Sequence, residues 1–343
     1  MAFYDGLFNG LGLKESCDAN QAGSSVSMAD LMAQLSGEEE KRPWWDVPFP
    51  SMDNLHEACE AIPRSRDFTE GVKDGFLYIK DGLKLILDPI TQPLSWLIDG
   101  ALYTVSVMPW WFIFIAIVYI AYRVSRSVPI TCYVVGAMLW FLFIDYYDST
   151  IQTLAIIFVC TFISVAIGVP IGIAMSRRDW LERMFIPLLD MLQTLPTFVY
   201  LIPLIFLFDV TESKLYGIAI ILYAIVPVVR LTNLGIRLVD KDVIEAADAY
   251  GMTQRQKLFK VEIPLALPNI MAGINQTIMM SLAMVVIASL VSAPGLGVDV
   301  LRGIRALEIG PGFVAGFNIV LLAIMLDRVS KAALARIDTT QDL

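Results

Sequence analysis

Long apolar runs, separated by short polar and arginine-bearing stretches, dominate the chain after residue 104. They cover 105–122, 128–145, 150–175, 190–208, 215–232, 269–291 and 312–330. Most reach the roughly 18–20 apolar residues that a helix needs to cross a hydrocarbon core about 30 Å thick. A bilayer offers the backbone no hydrogen-bond partner but itself, so each run is predicted to be a helix. Trp110, Trp111, Tyr119, Tyr122, Trp140, Tyr146 and Tyr147 gather near the ends of several runs, as interfacial aromatics do. The pattern predicts an all-α, polytopic transmembrane bundle of about seven spans.

The first hundred residues read differently. Residues 1–66 form a polar, acidic tail, rich in Ser, Asp, Glu and Pro and predicted to be largely disordered, with one short helix possible over 27–36. Over 67–88, Phe68, Val72, Phe76, Ile79, Leu83 and Ile86 recur at steps of three and four between charged residues. That spacing predicts an amphipathic helix, too charged to span, that lies on the membrane interface or packs on the bundle. The expected organisation is therefore a tail (1–66), an amphipathic or interfacial helix with a connector (67–104) and a transmembrane domain (105–343). Within the last, Pro170, Pro196, Pro203 and Pro227 mark candidate breaks or bends. Gly168 and Gly172 flank Pro170 at a spacing that lets helices approach closely.

Charge divides the same way. Residues 1–104 hold 17 Asp/Glu and 8 Lys/Arg, a net −9, and residues 105–343 hold 17 of each. An acidic excess confined to the tail argues against nucleic acid as a partner. Of the 17 Lys/Arg after residue 104, 14 fall in one set of loops; Lys214, Arg302 and Arg305 fall in the other. The bias predicts that the basic loops and the C-terminus are cytoplasmic and the N-terminal tail periplasmic. The N-terminus carries no basic region before an apolar core, so the first span is expected to act as the insertion signal. Cys17, Cys59, Cys132 and Cys160 make no CxxC pair; Cys17 and Cys59 are able to pair if the tail lies outside the cytoplasm. One histidine, His56, and no metal-ligand spacing leave neither a catalytic centre nor a metal site to propose.

The polar stretch 240–264 is the most informative. Asp242, followed three residues later by Glu245, reads as a helix start, and Gly251 as the left-handed residue that ends it. Ala246, Ala247 and Ala249 leave the short helix with a small-residue surface able to seat in another protein's groove. Pro264 and Pro268 bracket the return to the next span and would set its angle of approach.

Glu245-Ala246-Ala247, three residues, Gly251, nine residues, then Val261-Glu262-Ile263-Pro264 resembles the EAA loop of ABC-importer permeases, with Val261 and Ile263 as mild departures from the family's Ile and Leu. Pro187 to Pro203, Ile270 to Thr277, Met284 to Ser289, Gly295-Leu-Gly297 and Val300 to Ile304 are similar to the glycine betaine/proline betaine/choline branch, and the likeness covers roughly residues 85–335. The resemblance implies a type I permease that works as a homodimer with two ATP-binding subunits and a periplasmic solute-binding protein. In that family the EAA loop docks into the ATPase, which assigns coupling to Glu245, Ala246, Ala247, Gly251 and Pro264. The sequence contains no G-x-x-x-x-G-K-[ST] loop, so ATP and Mg are expected on the separate subunit and no cofactor on this chain. No large domain follows residue 330, and the receptor is likewise expected to be a separate protein.

Polar groups within the spans are candidates for a substrate path, and equally for hydrogen bonds between helices. They are Asn275, Gln276, Thr277 and Ser281, with Met280 beside them, and Gln193 and Thr194. Phe198 and Tyr200 are candidate gate residues, since a quaternary ammonium prefers aromatic faces. The rival readings are an importer permease for another small solute, or an ATP-independent secondary transporter; the second leaves the EAA spacing unexplained.

Overall fold

The computed structural model describes Tyr4, Phe8, Gly10, 49–59 and 61–341, the side chains at 57, 58 and 337–341 excepted. The expectations for 1–48, including the short helix over 27–36 and the state of Cys17, lie outside the described residues. The chain divides into two units, 1–83 and 84–343.

In the first unit, helix α1 (Met52–Ala58) starts where the Ser51 hydroxyl accepts the Asn54 N–H at 3.2 Å. The Ser65 N–H and hydroxyl donate to Asp53 and hold its carboxyl below the usual range. Cys59 is buried and disulfide-bonded, whereas Cys132 and Cys160 are free thiols. Helix α2 (Ser65–Val107) begins here, and Phe68, Val72 and Ile79 of its apolar stripe are exposed. The expected helix over 67–88 does not stop there. It continues through Pro89 and Pro93 to Val107, so the expected connector is itself helix.

The second unit is a helical bundle. After α2 the chain bends by 116° at Pro109 into α3 (Trp110–Ser125), followed by α4 (Val128–Phe143) and α5 (Tyr147–Arg177). Helix α6 (Asp179–Thr194) bends by 96° into α7 (Thr197–Leu207), and α8 (Ser213–Arg237) leads to the short α9 (Lys241–Ala249) and α10 (Gln254–Lys257). Helix α11 (Ile263–Ala288), α12 (Leu296–Ala306) and α13 (Ile309–Gln341) complete the chain. All seven apolar runs are therefore helical. Among the described residues four helices are long and apolar enough to span a membrane and the two bent pairs bring this to six, against the seven spans expected; the seventh run is α4, whose 16 residues fall short. Among the described residues there is no strand.

The two sharp bends have one cause. Pro109 and Pro196 lie at helix starts with φ −59° and −54°, and Leu195 before Pro196 is extended. A proline donates no N–H to the preceding turn and biases the residue before it away from helix. Of the other candidate breaks or bends, Pro170, Pro203 and Pro227 sit inside continuous helices.

Helix α8 is the centre of the bundle, packed between α5 and α11. Small residues set the separation. A Cβ on Gly168 would lie 2.5 Å from the Val228 side chain, and one on Gly172 would lie 2.7 Å from the Val229 carbonyl oxygen. On the other side, a Cβ on Gly273 of α11 would lie 3.1 Å from the Val228 Cα. Helices α3, α4 and α13 form a side wall, joined by Trp140 Nε1 donating to Asn318 Oδ1 at 3.1 Å and Tyr133 donating to the Leu321 carbonyl.

Gly172→Ala is expected to destabilise the bundle by about 1–3 kcal/mol, because the backbone it would strike has no room to give. Gly136→Ala on α4, whose new methyl meets nothing within 4 Å, is expected to be neutral. Denaturation in detergent measures both, and equal midpoints for the two variants would contradict this packing.

Candidate functional site

The segment 240–264 is a compact helical unit mounted on a span. Its first helix is capped by Asp240, whose side chain accepts the Asp242 N–H at 2.9 Å; the expected start at Asp242 is two residues late. The helix closes with Gly251 at φ +74°, the Gly251 N–H donating to the Asp248 carbonyl and the Met252 N–H to the Ala247 carbonyl. This is the paired closure that a left-handed glycine permits. Thr253 then starts the next turn with a reciprocal cap to Gln256. From Gln254 the helix runs without interruption to Val291, so the second half of the loop and the α11 span are one rod.

One irregularity interrupts that rod. Leu258–Glu262 is a single π-helical turn, placed just before Pro264. Pro264 has no N–H to donate to the Lys260 carbonyl, and the wider turn falls where the regular ladder is already broken. Of the residues assigned to coupling, Glu245 and Ala246 are exposed, Ala247 is buried, Gly251 is exposed, and Pro264 lies in the first turn of α11.

Ion pairs tie this end of the bundle together. Lys257 is buried and donates to both Asp248 oxygens, at 2.8 and 2.9 Å, closing the two short helices on each other. Glu262, only 4% exposed, pairs with Arg177 at the end of α5. Arg237 at the end of α8 donates to Asp179 and the Met175 carbonyl and pairs with Glu182, while Asn233 also donates to Glu182. Arg230 pairs with Asp190. An apolar knot of Ile236, Val239, Ala266 and Ile270, with Ile244 of α9 packed on it, sits between them. Sequence reasoning missed these pairs. Nothing periodic links Lys257 to Asp248 across Gly251, and Glu262 occupies a position of the loop pattern that any residue fills.

The candidate path residues do not form one surface. Thr277 and Ser281 are buried; Ser281 accepts the Thr161 hydroxyl of α5 at 3.1 Å, and the Thr277 hydroxyl has no partner. Asn275 accepts from Ser330 of α13. Gln276 instead lies on an exposed stripe of α11 with Ala283 and Leu290, and Met280 borders it half-buried. Thr194 and Phe198 are exposed at the α6–α7 bend beside the half-buried Gln193. Tyr200 joins the two elements, its hydroxyl 3.6 Å from the Met284 sulfur. Among the described residues no group of three or more His, Cys, Asp or Glu is placed to hold a metal.

Comparison with known proteins agrees with this architecture. The chain is 46% identical to the glycine betaine transport system permease protein OpuAB of Bacillus subtilis, over 57% of this chain and 70% of that protein. It is 41% identical to the glycine betaine/carnitine transport permease protein GbuB of Listeria monocytogenes, over 71% and 87% respectively. To the glycine betaine/proline betaine transport system permease protein ProW of Escherichia coli it is 36% identical, over 83% and 78%. Among solved structures, the inward-facing MetNI methionine ABC transporter shares the fold, with a TM-score of 0.51 at 20% identity, over 58% of this chain and 97% of that one. Residues 164–339, from the middle of α5 to the end of α13, match the binding-protein-dependent transport system inner membrane component, and the chain belongs to that family of multi-pass permeases.

Proposed function

We propose that this chain is the permease subunit of an ATP-driven importer for a small betaine-like solute. Two copies form the pathway, two ATP-binding subunits seat on the 240–264 segments, and a solute-binding protein delivers cargo to the opposite face. The observation that carries this reading is the mounting of α9: an exposed helix bearing Glu245 and Ala246, closed by Gly251 and continuous through one rod with a span. A helix so mounted moves its span when a docked subunit moves it. The chain itself supplies no nucleotide chemistry; ATP and Mg act on the partner subunit. The substrate class rests on relatives that carry glycine betaine, carnitine or proline betaine in their names.

In this reading the basic end, with Arg177, Arg237 and the 240–264 segment, faces the cytoplasm, and the acidic tail of residues 1–66 lies outside. The exposed stripe of α2 rests on the membrane interface. The disulfide at Cys59 supports the tail's placement, since disulfides persist in oxidising compartments. The pathway lies along the exposed stripe of α11 with Gln276 and Met280, facing Thr194, Phe198 and Tyr200 near the α6–α7 bend. The other polar candidates, Asn275, Thr277 and Ser281, serve packing.

Three outcomes are expected. The tagged chain co-purifies with an ATPase subunit, and in liposomes its hydrolysis and uptake rise with receptor plus glycine betaine. In the same assay Gly251→Val, held in a left-handed conformation at about 1–2 kcal/mol, lowers uptake severalfold. Glycine betaine uptake by the chain alone, without ATP, would favour a secondary transporter instead. Second, Gln276→Leu lowers the uptake rate with an unchanged denaturation midpoint, whereas Thr277→Val shifts the midpoint by at most about 1 kcal/mol and leaves uptake intact; the reverse pattern moves the pathway off this stripe. Third, Arg66→Cys, at a side chain 84% exposed, reacts with a membrane-impermeant maleimide in intact spheroplasts. Reaction only after permeabilisation places the tail inside.

A further inference from the structure

The α10–α11 rod carries a weak point and two buried charges beside it. Leu258–Glu262 is a single π turn in an otherwise regular helix. Lys257, the residue just before that turn, is 7% exposed and pairs back onto Asp248 of α9. Glu262, the last residue of the turn, is 4% exposed and pairs outward onto Arg177 of α5. One pair therefore grips the coupling helix on one side of the turn, and the other grips a second span on its far side. A π turn holds an extra residue, and such single turns inside helices recur at functional sites.

We propose that Glu262 and Arg177 form a transmission latch, which makes α5 follow α11 when the coupling helix moves. Covalent continuity carries the motion into α11. The latch carries it into α5, because separating the two would leave the Glu262 carboxylate buried without a partner, which is costly. Two spans thus move as one body around α8. The hydrogen bond between Thr161 and Ser281 joins the same two helices farther along. Lys257 keeps the driving end rigid by fixing α9 to α10. Glu262 and Arg177 are positioning residues: neither touches solute or nucleotide, and each acts through the helix it holds. The proposal rests on the importer reading above.

The test uses the complete complex in liposomes, with ATPase subunit, receptor and radiolabelled glycine betaine, and reads the ratio of solute moved to ATP hydrolysed. A residue that merely supports folding changes how much complex assembles; it leaves that ratio alone. Glu262→Gln and Arg177→Gln are each expected to lower the ratio about tenfold, within the coupling range of residues in contact. The exchanged pair, Arg177→Glu with Glu262→Arg, is expected to restore it to within about twofold. Arg177→Lys, at the half-exposed end of the pair, keeps the charge and retains most of the ratio, so a variant that assembles is assured. A ratio unchanged in both single variants overturns the latch. So does a ratio that falls in both and does not recover in the exchange. If the wild-type complex itself shows no receptor-stimulated hydrolysis, the importer reading fails, and that failure is distinct from one confined to the variants.

Discussion

The bundle depends on how closely α5, α8 and α11 approach. Within a bilayer, lipid tails are as apolar as leucine, so burial of apolar surface drives helices together only weakly and close packing decides. Here Gly168 and Gly172 bring α5 against the 225–232 stretch of α8, and Gly273 brings α11 against the same stretch from the other side. One short segment of α8 is therefore clasped from both sides at backbone contact. Pro227 lies within it and does not break the helix. Backbone groups freed by a proline are held in place by neighbours at this distance, which explains why a residue that ends helices elsewhere is accommodated here.

That clasp turns the basic end into a lever. Helices α5, α8 and α11 all end there, and each end is tied to something other than its own neighbour in the clasp: α5 to Glu262, α8 to Asp179 and Glu182 of α6, and α11 to α9 and α10 through the rod. Exposed ion pairs contribute little stability. Among these pairs the Glu262 carboxylate is buried, and there the loss of the partner costs more than the pair contributes, whereas Asp179 is 69% exposed. Their value is in geometry: they forbid independent motion of the helix ends they join. At the opposite end the same device recurs in smaller form, with Lys214 buried between Asp88 and Glu212 over the Phe208 ring.

Much of this was legible in the sequence. The seven apolar runs are built of helix, those at 105–122 and 190–208 each bent at a proline, because length and hydropathy act directly on whether a backbone can enter lipid. The short helix closed at Gly251 was legible because a left-handed glycine cap is a local requirement. Three features were less legible. The continuation of α2 to Val107 was hidden by Pro89 and Pro93, which suggest a break yet fall where the helix tolerates a missing donor. The bend at Pro196 looked no different in sequence from the prolines at 170, 203 and 227; the structure separates them by the extended backbone of Leu195 before Pro196. The start at Asp240 rather than Asp242 turned on which of two carboxylates reaches an N–H, a matter of two residues, about 3 Å of rise.

The pathway was the least legible, and the reason is physical. A polar side chain within a span satisfies itself either across a helix interface or toward a wet cavity, and both leave the same letter in the sequence. Only the face it occupies separates them. Thr277 is buried, Ser281 meets Thr161 of α5, Asn275 meets Ser330 of α13, and Gln276 is left on a stripe of α11 that is exposed among the described residues. A polar residue left open to lipid on a span would be costly. The exposed stripe with Gln276 is therefore where the proposed pathway and the proposed second copy would meet.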